Sequence, residues 1–142
     1  MLINLVSNAL KFTPSGGKIT ITAKLIQEAD DIDEDFTEFH QLFIKNEEND
    51  MLLINVQDTG IGINKEDQNK LFKMFGFLDS SKELNAKGIG LGLHITKMIV
   101  KQFGGDIICK SKKGNGSSFI FIIALSELIG QDQLIKRNLN QI

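Results

Sequence analysis

An α/β two-layer sandwich is the fold that the sequence predicts, and three observations predict it. Apolar residues recur at helical spacing over 2–12 and again over 91–103. Apolar and β-branched residues alternate or run together at 18–23, 51–56, 107–108 and 119–123, as they do in strands. Glycine-rich turns separate these segments, one of them of hairpin type. Helices alternating with strands, with hairpins among the strands, pack as a helical layer on a sheet. At 142 residues, 42% of them hydrophobic, the chain can bury one core, and a second domain is not expected.

Leu2, Leu5, Val6, Ala9 and Phe12 form the apolar stripe of an opening amphipathic helix. Thr13-Pro14-Ser15-Gly16-Gly17 ends it and turns the chain. Lys18-Ile19-Thr20-Ile21-Thr22-Ala23 alternates as a strand, and 27–50 reads as a solvated acidic loop. Met51-Leu52-Leu53-Ile54-Asn55-Val56 is a second, well-buried strand, after which Asn64 is placed to cap a short helix through Phe75. Residues 76–90 mix Gly, Ser, Lys and Asn without periodicity and predict a loop. Leu91, Ile95, Met98, Ile99 and Phe103 mark a second long helix, closed by Gly104-Gly105. Ile107-Ile108 and 119–123 are strands on either side of the turn Lys112-Lys113-Gly114-Asn115-Gly116. A polar tail or linker follows over 126–142.

Charge is unevenly placed. The net charge is −2, yet residues 28–50 hold ten carboxylates against Lys45 alone, leaving eight acidic and fifteen basic side chains elsewhere. A basic body suits an anionic ligand. Nucleic acid is not expected, since no basic stripe carries interleaved aromatics and Trp and Tyr are absent. No apolar run reaches membrane-spanning length, so this segment predicts no membrane contact. Met1 opens directly onto the helical pattern, without a signal-peptide profile. The single Cys109 lies in an apolar run and reads as a buried thiol in a reducing, cytoplasmic setting.

Three segments carry candidate chemistry. In Asn4-Leu5-Val6-Ser7-Asn8-Ala9-Leu10-Lys11, the residues Asn4, Asn8 and Lys11 share one helical face. Two asparagines inside one helix are locally unfavourable, which points to function; a solvated polar face is the plain alternative. Asp58-Thr59-Gly60-Ile61-Gly62 follows a buried strand, and its carboxylate can accept amino hydrogens of a base while the glycines admit close backbone approach. An aspartate satisfying its own turn would give the same pattern. Gly88-Ile89-Gly90-Leu91-Gly92-Leu93 runs into the second long helix, where backbone N–H groups make an anion site. It matches neither the dinucleotide fingerprint nor a P-loop. Lys82 and Lys87 add charge nearby.

Taken in this order, the three segments resemble the N, G1 and G2 boxes of the ATP-binding domain of sensor histidine kinases. That domain belongs to the superfamily of DNA gyrase, the heat-shock chaperone ATPases and the mismatch-repair ATPases. The resemblance runs from Leu2 to Leu125 and implies one catalytic domain over 1–125. Leu71-Phe72-Lys73-Met74-Phe75 resembles the F box, although such aromatics serve equally as core. Gly114-Asn115-Gly116-Ser117-Ser118-Phe119 resembles the third glycine box, and a plain hairpin turn would also use those glycines. The family's fold implies helices on one face of a mixed sheet, with ATP held between helices under a lid at 76–90. Residues 27–50 would then be an insertion.

The resemblance also implies roles. ATP and Mg2+ are the expected cofactors. Asn8 would hold the metal, Lys11 would face the triphosphate, and Asn4 would line the same cleft. Asp58 would anchor adenine, with Gly60 and Gly62 beside it. Lys87, Gly88, Gly90, Leu91, Gly92 and Leu93 would close over the phosphates, and Ser117 would reach the base through water. The expected partners are a dimerisation domain carrying the acceptor histidine and a receiver domain. Neither His40 nor His94 resembles that acceptor, and two isolated histidines with one cysteine lack metal-ligand spacing. Where the superfamily's ATPases and serine kinases carry a glutamate base, this chain carries Asn4. That position favours a histidine acceptor over water or serine, because neutral imidazole is already nucleophilic. The alternatives are a nucleotide-binding module without kinase activity, or a serine kinase or ATPase of the same superfamily.

Overall fold

The computed structural model describes residues 1–45, 49–74, 91–127 and 130. Helix α1 (Leu2–Phe12) buries Leu5 and Ala9 and ends where Thr13 turns extended, its hydroxyl donating to the Ala9 carbonyl at 2.6 Å. Strand β1 (Ile19–Ile26) follows, then two 3₁₀ turns (Ala29–Asp31 and Glu34–Phe39), the short helix α2 (His40–Lys45) and strand β2 (Met51–Asp58). A four-residue helix α3 (Lys65–Gln68) precedes helix α4 (Gly92–Gln102), and strands β3 (Asp106–Lys112) and β4 (Gly116–Ala124) close the sheet.

The sandwich is as expected, but the sheet is not mixed. Its order is β1-β2-β4-β3, and all three pairings are antiparallel. The reason is topological. The helical return from β2 brings β3 back parallel to β2, one place away rather than beside it. The tight turn after β3 then delivers β4 antiparallel into the gap. That turn carries Gly114 and Gly116 at φ 84° and 92°.

Strand alternation divides the core in two. On the front face, Val56, Ile107, Phe119, Phe121 and Ile123 pack under Leu5 and Ala9 of α1 and Val100 of α4. On the back face, Ile26, Met51, Leu53, Ile120, Ile122 and Ala124 pack against Ile32, Phe39 and Phe43. The acidic segment is therefore no solvated loop, and helices do not occupy one face only. Its carboxylates Glu28, Asp30, Asp33, Glu34, Asp35 and Glu38 are exposed, while its apolar residues seal the back of the sheet. Asp31 starts this layer by accepting the Gln27 and Glu28 N–H groups at 2.8 and 3.0 Å, and those two bonds hold its carboxyl below the usual range. Lys110 ties the layer to β3, lying over the Phe36 ring and pairing with Glu38 at 3.4 Å.

Two local readings change with the structure. Asn64 sits at the N-cap of α3, but its side chain makes no capping bond, and the helix gives way after Gln68 to turns bonded i to i+3. In α4 the fully buried positions are Thr96 and Val100, whereas Ile95 and Met98 are 48% and 54% exposed. The apolar stripe read from sequence is thus rotated away from the core, because a threonine rather than an isoleucine faces α1. In α1, Ile3 and Leu10 point outward at 86% and 66% exposure.

Candidate functional site

At one end of the front face the apolar rows stop and a polar row begins. Across the four strands, Ile21, Val56, Phe119 and Cys109 lie in one register, and the next row is Ile19, Asp58, Ser117 and Ser111. Asp58 is the last residue of β2, so it faces the helices as Val56 does, one pleat further along. It is 5% exposed. Its Oδ1 accepts the Gly60 N–H at 2.7 Å. Burial pushes the carboxyl above its ordinary value, against the opposing pull of the Gly60 and Ser117 backbone N–H groups. The turn reading of Asp58 and the ligand reading thus coexist, since one oxygen serves the turn.

Gly60 has no room for a side chain. A Cβ there would collide with the Phe12 carbonyl oxygen and lie 2.7 Å from Asp58 Oδ1. The loop is fastened to the C-terminal end of α1 by the Ile61 N–H donating to Phe12 O at 3.1 Å. Gly62 takes φ 65° against the Lys112 carbonyl. These contacts bring the end of α1, the G1-type loop and the β3–β4 turn together at the Asp58 end of the sheet.

The other expected residues divide as follows. Asn4, on α1, donates from Nδ2 to Thr96 Oγ1 on α4 at 3.1 Å, and Thr96 is 2% exposed. A Cβ on Gly92 would come 2.5 Å from Asn4 Oδ1, so the carboxamide lies along the first turns of α4. The face of α1 carrying Asn4 is therefore a helix–helix contact. Asn8, one turn further along α1, is half-buried and makes no side-chain hydrogen bond among the described residues. Lys11 is exposed, its Nζ 5.2 Å from the Phe12 ring centre. Leu91 and Leu93 are half-buried at the start of α4. Lys87, Gly88 and Gly90 lie outside the described residues, as do Lys82, Phe75, the expected lid at 76–90 and residues 131–142 of the tail.

Sequence reasoning missed a fastening beside Ser117. Ser111 Oγ accepts the Ile63 N–H at 2.8 Å, donates to Gly116 O at 2.8 Å and lies 2.9 Å from Ser117 Oγ. Gln68 Nε2 bridges Ser111 O and Ile63 O at 2.8 and 3.1 Å. Only the alternation of β3 could have placed Ser111 on the front face, and its partners are 48 and 5 residues away. Cys109 packs against the front core, and burial with the charge of Asp58 pushes its thiol up to about 12. Among the described residues no group of three or more His, Cys, Asp or Glu is placed to hold a metal, and no helix is long and apolar enough to cross a membrane.

Comparison with known proteins agrees with this geometry. The family model for the histidine kinase-, DNA gyrase B- and HSP90-like ATPase matches residues 1–127. The sensor histidine kinase WalK of Bacillus subtilis (strain 168) is 35% identical over 127 residues, which are 89% of this chain and 18% of that protein. The aerobic respiration control sensor protein ArcB of Escherichia coli (strain K12) is 34% identical over 124 residues, 87% of this chain and 13% of that one. The chain thus spans less than a fifth of either relative. Among solved structures, the nucleotide-free catalytic domain of the histidine kinase ThkA superposes with a TM-score of 0.58 at 31% identity, covering 87% of this chain and 63% of that one. With the box-bearing helix, the buried Asp58 and the glycine loop in one corner of such a sandwich, the chain belongs to the histidine kinase-, DNA gyrase B- and HSP90-like ATPase family, as a catalytic ATPase domain of the sensor histidine kinase kind.

Proposed function

We propose that this domain binds Mg-ATP at the Asp58 corner and transfers the γ-phosphoryl group to a histidine on a separate dimerisation domain, within a two-component or phosphorelay system that includes a receiver domain. The observation that carries the reading is Asp58 itself: a carboxylate 5% exposed, hydrogen-bonded to no cationic side chain among the described residues, facing the helices at the edge of the core. A buried carboxylate gains from each further N–H donor, and the amine of a base would supply one.

Each group on this chain has a proposed task. Asp58 receives the exocyclic amine of adenine, Gly60 and Gly62 let the loop close on the Phe12 and Lys112 carbonyls and so hold it beside the base, and Ser117 contributes a hydroxyl. Asn8 fits a magnesium site, since its half-buried side chain has no hydrogen bond among the described residues and offers a hard carbonyl oxygen. Mg2+ takes most of its ligands from water and phosphate, so one such oxygen suffices. When bound, the ion supplies charge neutralisation to the phosphate oxygens. Lys11 adds positive charge, and the backbone N–H groups at the start of α4, with Leu91, Gly92 and Leu93, face the anion. The imidazole nitrogen then forms its bond to phosphorus as the bond to the ADP oxygen breaks. Asn4 supplies no base, and positioning with charge stabilisation carries the step.

Calorimetry tests the site. ATP should bind more tightly than GTP, and Asp58→Ala should weaken ATP by roughly ten- to a hundredfold, the equivalent of about 1.5–3 kcal/mol for one charge-assisted hydrogen bond. Equal affinity for the two nucleotides in the unmutated chain would remove the adenine assignment. For the reaction, radiolabelled ATP with an added acceptor domain should yield acid-labile phosphohistidine; acid-stable phosphoserine would instead place the chain with the serine kinases.

A further inference from the structure

We infer that Ser111, a residue with no expected contact to the nucleotide, sets the direction of the Ser117 hydroxyl and so makes the base corner accept hydrogen bonds only. The inference rests on the adenine reading of that corner and deepens it, taking the Ser117 contact with the base as direct rather than through water.

The argument is a count of protons. A serine hydroxyl has one proton and two lone pairs. At Ser111 the Ile63 N–H at 2.8 Å takes one lone pair, because a backbone N–H can only donate. The Gly116 carbonyl at 2.8 Å takes the single proton, because a carbonyl can only accept. What remains on Ser111 is one lone pair, and Ser117 Oγ stands 2.9 Å away. Ser117 must therefore donate to Ser111. Its own lone pairs are left over, and it lies in direct register with Asp58.

The consequence is chemical. Asp58 when ionised is acceptor-only, and Ser117 with its proton committed is acceptor-only as well. A purine with a 6-amino group offers donors to both. A purine with a 6-oxo group meets lone pairs with lone pairs at position 6, and only its N1–H can still donate there. An unrestrained serine would rotate and donate to the 6-oxo group, eroding the discrimination. Ser111 removes that freedom. It is held in turn by the Ile63 amide of the G1-type loop, with Gln68 bridging Ser111 O and Ile63 O. The polarity of the corner is thereby tied to correct docking of that loop on β3. Ser111 acts through Ser117 and is a positioning residue.

The test compares ATP with inosine triphosphate, which differ at purine position 6, by calorimetry on the same preparation of each variant. The active fraction then cancels in the affinity ratio. The unmutated chain should prefer ATP. Ser111→Ala should shrink that preference by roughly three- to tenfold, the worth of one neutral hydrogen bond gained or lost. Ser111→Thr, which keeps the hydroxyl, should retain it. Ser117→Ala removes the acceptor without leaving a free rotor, so its ratio should fall no further than that of Ser111→Ala. A Ser111→Ala chain that loses ATP and inosine triphosphate affinity by the same factor overturns the inference and leaves the adenine reading standing. An unmutated chain that binds both equally overturns both. If Ser111→Ala does not fold, Ser117→Ala decides: an unchanged ratio there overturns the inference, and a reduced one supports it.

Discussion

At Asp58, stability and the proposed base contact oppose one another. Its carboxyl is raised above the ordinary 3.8, with burial as the first cause and the Gly60 and Ser117 N–H groups pulling it partly back. For such a group the folded chain holds the proton more tightly than the unfolded chain. Its stabilising contribution is complete below 3.8 and is lost as pH rises through the raised value. Thermal melts of the free chain should therefore show a component of stability that falls with rising pH above 3.8, and Asp58→Asn should remove that component. The proposed adenine contact has the opposite sign, since only the ionised form would accept the base amine. ATP affinity should weaken as pH falls toward the raised value, earlier than an exposed aspartate would allow. A pH series of melting temperatures and of calorimetric affinities reads both slopes, and a flat melting profile identical in Asp58→Asn would refute the burial argument.

Between elements, the contact of α1 with α4 runs through one polar knob. Asn4 fills the space left by Gly92 and bonds the hydroxyl of Thr96, a residue buried inside the α4 interface. Asn4→Ala leaves that hydroxyl without its partner and should destabilise the chain by about 1–3 kcal/mol in urea titrations. Gly92→Ala forces a methyl against the same carboxamide and should also be destabilising, by about 1–3 kcal/mol. On the other side of the sheet, Phe39 is 1% exposed within the layer made by the acidic segment. Phe39→Ala should lower stability by about 3–5 kcal/mol, whereas Glu34→Gln on the exposed rim should change it by about 0.5 kcal/mol or less. Equal small effects from both would mean that the layer is detachable decoration. The surface pairs Lys24–Asp33 and Lys110–Glu38 add little to this, being exposed.

For the molecule as a whole, the back layer separates charge from function. The exposed carboxylates of 28–38 stand on the side of the sheet away from Asp58, with a sheet and its packed layer, about 10 Å, between them. That distance is about one Debye length or more at physiological salt. A triphosphate at the front therefore meets the basic remainder of the chain. Replacing Glu28, Asp30 and Glu34 together by Gln, Asn and Gln should change ATP affinity by less than about twofold at 0.15 M salt; a tenfold gain would show that the layer's charge reaches the site. By the same whole-molecule logic the free chain should release little phosphate, since Asn4 offers no base and its amide is engaged with Thr96. A malachite green assay on the chain alone, set beside the same assay with an acceptor domain, measures this.

Residue order alone marked helices α1 and α4 and the four strands, because periodicity and turn chemistry are local properties. It also marked Asp58, Asn8 and the glycine loops, because those residue types stand out against the elements that carry them. Tertiary structure decided the rest, for reasons that are not local. Whether a sheet is mixed or antiparallel depends on which strand enters the gap beside β2, and no single strand encodes that. The face of α4 that is buried depends on Asn4 standing opposite Thr96, 92 residues away. The acidic segment read as loop because its carboxylates outnumber its anchors, yet Ile32, Phe39 and Phe43, with Ala29, Phe36 and Leu42 beside them, bury against the bare back face of the sheet. Ser111 is an ordinary serine in the sequence; three partners, one from the loop after β2 and two from the neighbouring strand β4, give it a direction.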